Sequence, residues 1–172
     1  GESRWADGAM LAEHRRQTGL TLGRDDGILI IDGSDIPKQG DASVGVKRQW
    51  CGQLGKKANS QAGVFLGYSS PAGYTLLDKR LYIPAEWFSN AYAAKRYKCR
   101  VPGELTFQTK NELAWTMLEE VTRAGTLRAR WITMDEAFGK DTQLLDRIDV
   151  ETPYYYFAEV PKDTRLWLTA PE

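Results

Sequence analysis

The chain has 172 residues, 42% of them hydrophobic and 27% charged, which suits one soluble domain with a real core. Lys plus Arg and Asp plus Glu both number 23, so net charge points to no polyanionic partner and any nucleic-acid surface must be local. There is one histidine, His14, and two cysteines, Cys51 and Cys99, outside any CxxC pair, which argues against a Cys/His zinc site. Two lone thiols fit a reducing cytoplasm, with a disulfide between them left open. Any metal would be held by carboxylates, which favours magnesium or manganese. No apolar run approaches the ~20 residues of a membrane span, and the opening GESRWADGAM lacks the pattern of a signal peptide.

Residues 1–25 read as a lead-in of one short helix and a loop, and residues 26–172 as the main domain. DGILIID, 26–32, predicts a buried strand that ends on Asp32, and Pro37 and Gly40 mark a turn. SVGVKRQW, 43–50, alternates like a strand with one solvated face; QAGVFLGYS, 61–69, and YTLLDKRLYIP, 74–84, are further strands. The pattern then changes. Residues 84–103 read as a helix stopped by Pro102 and Gly103. TKNELAWTMLEEVTRAG, 109–125, is the clearest helix, with Thr109 and Glu112 at capping-box spacing and Gly125 at the stop. ARWITMD is a strand ending on Asp135, DTQLLDRI a short helix, YYYFAEV (154–160) a strand, and TRLWLTA (164–170) an extended piece.

Strand–helix–strand crossovers make the later strands parallel to their neighbours. If ARWITMD lies beside ILIID, Asp32 and Asp135 reach the same carboxyl edge of a sheet, where open α/β sheets place their sites. Each aspartate alone has a plain structural reading, as a turn or helix-cap residue. Together they form a costly pair unless a cation lies between them. Other motifs fail. GQLGKK, 52–57, has the wrong spacing for a phosphate loop and Lys57 where Ser or Thr belongs. IIDGSD has Asp35 three residues after Asp32, whereas an aspartyl-nucleophile phosphatase strand wants two. His14 reads as a solvated surface residue. Lys38, Lys47, Arg48, Lys56 and Lys57 cluster near the first loops, either as a solvated face or as a phosphate-contacting patch.

The block IIDGSDIPKQGDASVGVKRQWCGQLGKKANSQAGVFLGYSSPAGYTLLDKRLYIPAEW resembles the catalytic core of bacterial insertion-sequence transposases of the DDE superfamily. FQTKNELAWTML (107–118), WITMDEAFG and YYYFAEVP add to the likeness, and the match runs in order over about residues 26–161. The resemblance implies an α/β, ribonuclease-H-like fold: a mixed five-stranded sheet with flanking helices. It implies three acids holding two divalent ions, Mg2+ or Mn2+, with Asp32 and Asp135 as the first two and Glu136 beside the second. It implies metal-dependent DNA cleavage and strand transfer, double-stranded DNA at transposon ends and target, self-association on that DNA, and a bacterial cytoplasmic, nucleoid-associated setting. The third acid is expected on a helix beyond the fifth strand, so the core reads as truncated before that helix. Tyr97, Arg100, Glu104 and Lys110 mimic the third-acid signature but precede Asp135, and Pro102 and Gly103 break the helix it requires. Two other readings stand beside this one. The chain could be a non-catalytic DNA-binding or assembly fragment, or an α/β phosphotransferase with an aspartate nucleophile.

Overall fold

A computed structural model describes residues 7–165; the expected extended piece at 164–170 falls almost wholly outside them. The elements in chain order are α1 (Gly8–Thr21), β1 (Ile28–Pro37), β2 (Lys47–Cys51), β3 (Lys56–Ser70), β4 (Gly73–Tyr82), α2 (Ala93–Lys98), α3 (Lys110–Ala124), β5 (Trp131–Met134), α4 (Glu136–Gly139), α5 (Thr142–Glu151) and β6 (Tyr155–Ala158). One mixed sheet has the order β2-β3-β1-β5-β6, with β4 also paired to β3. β1, β2 and β4 each run antiparallel to β3, while β5 and β6 extend the sheet in parallel from β1. The expected α/β architecture is present, with six strands rather than five. The sixth is β2, the strand expected at SVGVKRQW: β3 is fifteen residues long and outruns β4, and its first five residues take β2 as a partner.

Two expectations from sequence need correction. β1 does not end at Asp32. It continues to Pro37, because β3 is long enough to pair with it as far as Ser60. Residues 84–103 are not one helix. They form two short 3-10 turns, Ala85–Phe88 and Asn90–Tyr92, and then the six-residue α2. The Arg96 guanidinium donates to the backbone carbonyls of Trp87 and Ser89 and fixes that bend. The capping box of α3 forms as spacing predicts: Thr109 accepts from the Glu112 N–H while the Glu112 carboxylate accepts from the Thr109 N–H at 2.6 Å. Gly125 closes the helix in the left-handed conformation at φ 60°.

The core lies on one face of the sheet. Leu29, Ile31, Val64, Leu66 and Ile132 pack there against Leu113, Met117, Leu118 and Val121 of α3 and Leu144 and Ile148 of α5. A bulge in β4 adds to this face: Leu76 pairs with Gly67 and Asp78 with Leu66, so Leu77 is unpaired and both Leu77 and Asp78 turn inward. Asp78 is buried between Arg15 of α1 and Arg80, and Glu120 of α3 binds both guanidinium groups. α1 also lies close to the backbone after α3; a Cβ at Gly19 would meet the Thr126 carbonyl oxygen at 1.9 Å. His14 is half-buried and hydrogen-bonded to the Leu76 carbonyl at 2.8 Å, rather than simply solvated.

Among the described residues the opposite face of the sheet is largely exposed. By strand alternation it carries Ile30, Phe65, Leu76, Tyr74, Trp131, Tyr155 and Phe157. Tyr74 is 86% exposed and Phe157 71%. Trp131 and Tyr155 lie side by side on it, ring centroids 5.4 Å apart.

Candidate active site at the ends of β1 and β5

Asp32 lies in β1 opposite Phe65 of β3. Its neighbours Leu29 and Ile31 point into the core, so alternation turns Ile30, Asp32 and Ser34 to the open face. Beside it, β5 pairs residue for residue with β1 until Met134 meets Ile31. The next residue is Asp135, with extended backbone at φ −77° and ψ 177°. Continuing the register brings Asp135 level with Asp32, one strand away and on the same face. In each segment the apolar run packs on the shared core up to the same level; β1 then continues to Pro37, while β5 ends at Met134.

Asp135 also has the plainer role: it caps α4 by accepting from the Ala137 N–H at 2.9 Å. Asp32 accepts from the N–H of Gly33 at 2.7 Å. In each case the bond uses Oδ1, and among the described residues Oδ2 accepts no hydrogen bond. Both carboxylates are exposed. They form a pair of hard oxygen donors with one spare atom each, which suits a magnesium- or manganese-sized ion with water completing its shell. Glu136, in the first turn of α4, is exposed beside them. Among the described residues no three His, Cys, Asp or Glu side chains converge on one point. Asp35 is on the other side of β1, where it accepts from the Gly52 N–H at 3.1 Å and anchors the connection after β2. The near-signature residues separate as well: Tyr97 is in α2, Glu104 in an exposed turn and Lys110 at the start of α3.

The five basic residues divide between faces. Lys47 pairs with Ser60, and Lys56 with Cys51, on the core side of the β2–β3 ribbon. The Lys47 amine binds the Glu86 carboxylate at 2.5 Å, and that hydrogen bond raises its pKa above the ordinary lysine value. Arg48 pairs with Asn59, and Trp50 with Lys57. Along β3, Lys57, Asn59, Gln61, Gly63 and Phe65 alternate onto one face, and Phe65 is opposite Asp32. Arg48, Trp50 and Lys57 thus share the open face with the two aspartates. Lys38 follows directly on β1, its N–H donating to the Asn59 carbonyl at 2.8 Å. Sequence reasoning missed Trp50; the alternation of SVGVKRQW already set it on the same side as Arg48.

No helix among the described residues is long and apolar enough to cross a membrane. No curated protein and no solved structure matches the chain. The family model of the DDE superfamily endonucleases matches residues 1–172, from end to end, and the chain belongs to that family.

Proposed function

We propose that this chain is the catalytic core of a transposase, which cuts DNA at transposon ends and joins the freed strand to a target. The observation that supports the reading is the parallel register of β1 and β5, whose last pair is Ile31 and Met134, the residues directly before Asp32 and Asp135. Membership of an endonuclease family supports it. Asp32 and Asp135 would hold magnesium or manganese. Bound divalent ions in such a site activate an attacking water or 3′ hydroxyl and stabilise the leaving oxygen of an in-line displacement. The chain's own contribution is placement. The β1–β5 register fixes the spacing of the two carboxylates, and the Gly33 and Ala137 N–H groups fix their rotation. Two carboxylates fall short of the roughly six oxygens such ions take, and a third acid, approaching over the open face, would complete the set.

Arg48 and Lys57, with Lys38, Lys47 and Lys56 around the ribbon, contact phosphates of double-stranded DNA and position it without reading its sequence. The protein self-associates on DNA in the bacterial cytoplasm, at the nucleoid. The test is manganese-dependent nicking of supercoiled plasmid, run beside manganese binding by calorimetry. Weak nicking and weak binding by the 172-residue chain, both lost in Asp32→Asn and in Asp135→Asn, is the expected result. Nicking that survives both substitutions, or manganese binding indifferent to them, refutes the assignment. A trapped phosphoryl group on Asp32 would favour the phosphotransferase reading instead.

A further inference from the structure

Trp50 is the most conspicuous side chain on the β2–β3 ribbon. It is 61% exposed and has no ring or cation partner among the described residues. Lys57 is its cross-strand partner, and Arg48 lies two residues along the same strand on the same face. Neither Arg48 nor Lys57 is ion-paired among the described residues, in contrast to Lys47, which is bound to Glu86. On the other side of the ribbon Cys51 and Ser60 are buried and Lys47 is held by Glu86. One side therefore anchors the ribbon, and the other presents an indole between two unpaired cations.

We infer that Trp50, Arg48 and Lys57 form a seat for an unpaired DNA strand, with a base stacked on the indole and flanking phosphates on the two cations. This deepens the nuclease reading above and rests on it for the identity of the nucleic acid. The preference for an unpaired strand follows from what an indole can touch. In a duplex the π-face of every base is covered by its neighbours, whereas an unpaired base offers that face freely, and stacking on an aromatic ring tolerates any sequence. The seat also connects to the aspartates. Eight residues of β3 separate Lys57 from Phe65, the partner of Asp32, which is about 27 Å of strand. Between them the same face of β3 carries Asn59, Gln61 and Gly63, and Gln61 donates to the Val44 carbonyl of the β1–β2 loop at 2.6 Å.

The experiment measures fluorescence anisotropy of a labelled single strand of about twelve nucleotides, and of its duplex, with the full chain in EDTA. Expected for the unaltered chain is tighter binding of the single strand. Trp50→Ala should weaken single-strand binding about tenfold and duplex binding less than about twofold, and Trp50→Phe should keep most of the affinity. Arg48→Ala and Lys57→Ala should weaken both forms, and each should flatten the single-strand salt dependence by about 0.7 in log–log slope. The ring is exposed, so its removal leaves the core intact; an unchanged circular-dichroism melt confirms this. Equal loss of single-strand and duplex binding in Trp50→Ala, or no loss of either, overturns the seat. So does failure of the unaltered chain to bind single strands, even if nicking still depends on Asp32 and Asp135, in which case the nuclease reading survives alone. Trp50-dependent binding without any metal-dependent nicking keeps the seat and removes the nuclease reading.

Discussion

Replacing Arg15 by methionine tests how far the first helix belongs to the fold. The Arg15 guanidinium binds the buried carboxylate of Asp78, whose side chain is 0% exposed, and reaches Glu120 at 3.2 Å. Methionine keeps the unbranched apolar stem and removes the charge. Removing one partner of a buried ion pair typically costs about 3–5 kcal/mol, because the other charge is stranded. Here Asp78 keeps Arg80 and the Lys79 N–H at 2.7 Å, so a cost below that range is expected, about 2–3 kcal/mol. For a chain of this size each kcal/mol moves Tm by about 2–4 °C, so a fall of roughly 5–10 °C is expected in a thermal melt. If the cost comes from the stranded carboxylate, Asp78→Asn and Arg15→Met together should lose clearly less than the sum of the two single changes. A shift no larger than an ordinary surface substitution, within about 0.5 kcal/mol, would refute the reasoning. Strict additivity of the pair would do so too. The same result would leave residues 1–25 as a dispensable lead-in.

Gly139→Ala should destabilise the chain by roughly 1–3 kcal/mol, because a Cβ there would sit 2.1 Å from the backbone oxygen of Glu159. It should also weaken Asp135-dependent nicking, since α4 would shift away from β6; a neutral melt with full nicking would show that the contact is not as close as described. Glu13, hydrogen-bonded by Arg16 and Gln17, has its pKa lowered from 4.5 to about 2. The folded-state value is the lower one, so the contribution of these bonds is complete above about pH 4.5 and is lost as pH falls toward 2. Titrating the Glu13 carboxyl by NMR checks this, and a midpoint near 4.5 would mean the surface pairs do not persist in solution.

The elements readable from sequence were those in which local chemistry and tertiary fit agree. In α3, the apolar spacing of Leu113, Met117 and Val121, the Thr109–Glu112 box and Gly125 all point one way, and the helix has the expected bounds. The apolar runs before Asp32 and Asp135 were legible as the two strands that pair in parallel, with Ile31 opposite Met134. What failed was local inference about features set at a distance. Nothing within IPKQG says that β3 extends past β4 and holds β1 in the sheet to Pro37. Nothing near Asp78 shows that a bulge turns it inward, since its partner Arg15, and Glu120 that binds both of its arginines, lie far away in the chain. Residues 84–103 carry helix-forming composition, but the bend held by Arg96 divides them into short turns.

The order of strands also bears on how the chain reaches this arrangement. β1, β3 and β4 are joined by antiparallel pairings between segments fairly close in sequence, contacts that form early and quickly. The β1–β5 pairing joins Ile31 to Met134, about a hundred positions apart, and pays the loop-closure entropy of everything between them. On contact order the β1–β5 pairing is expected to follow the antiparallel pairings, and a chain with only its antiparallel half complete lacks the pair. Slowing that step, by weakening Ile132 or Met134 where they enter the core, would delay the appearance of the site more than the appearance of the sheet.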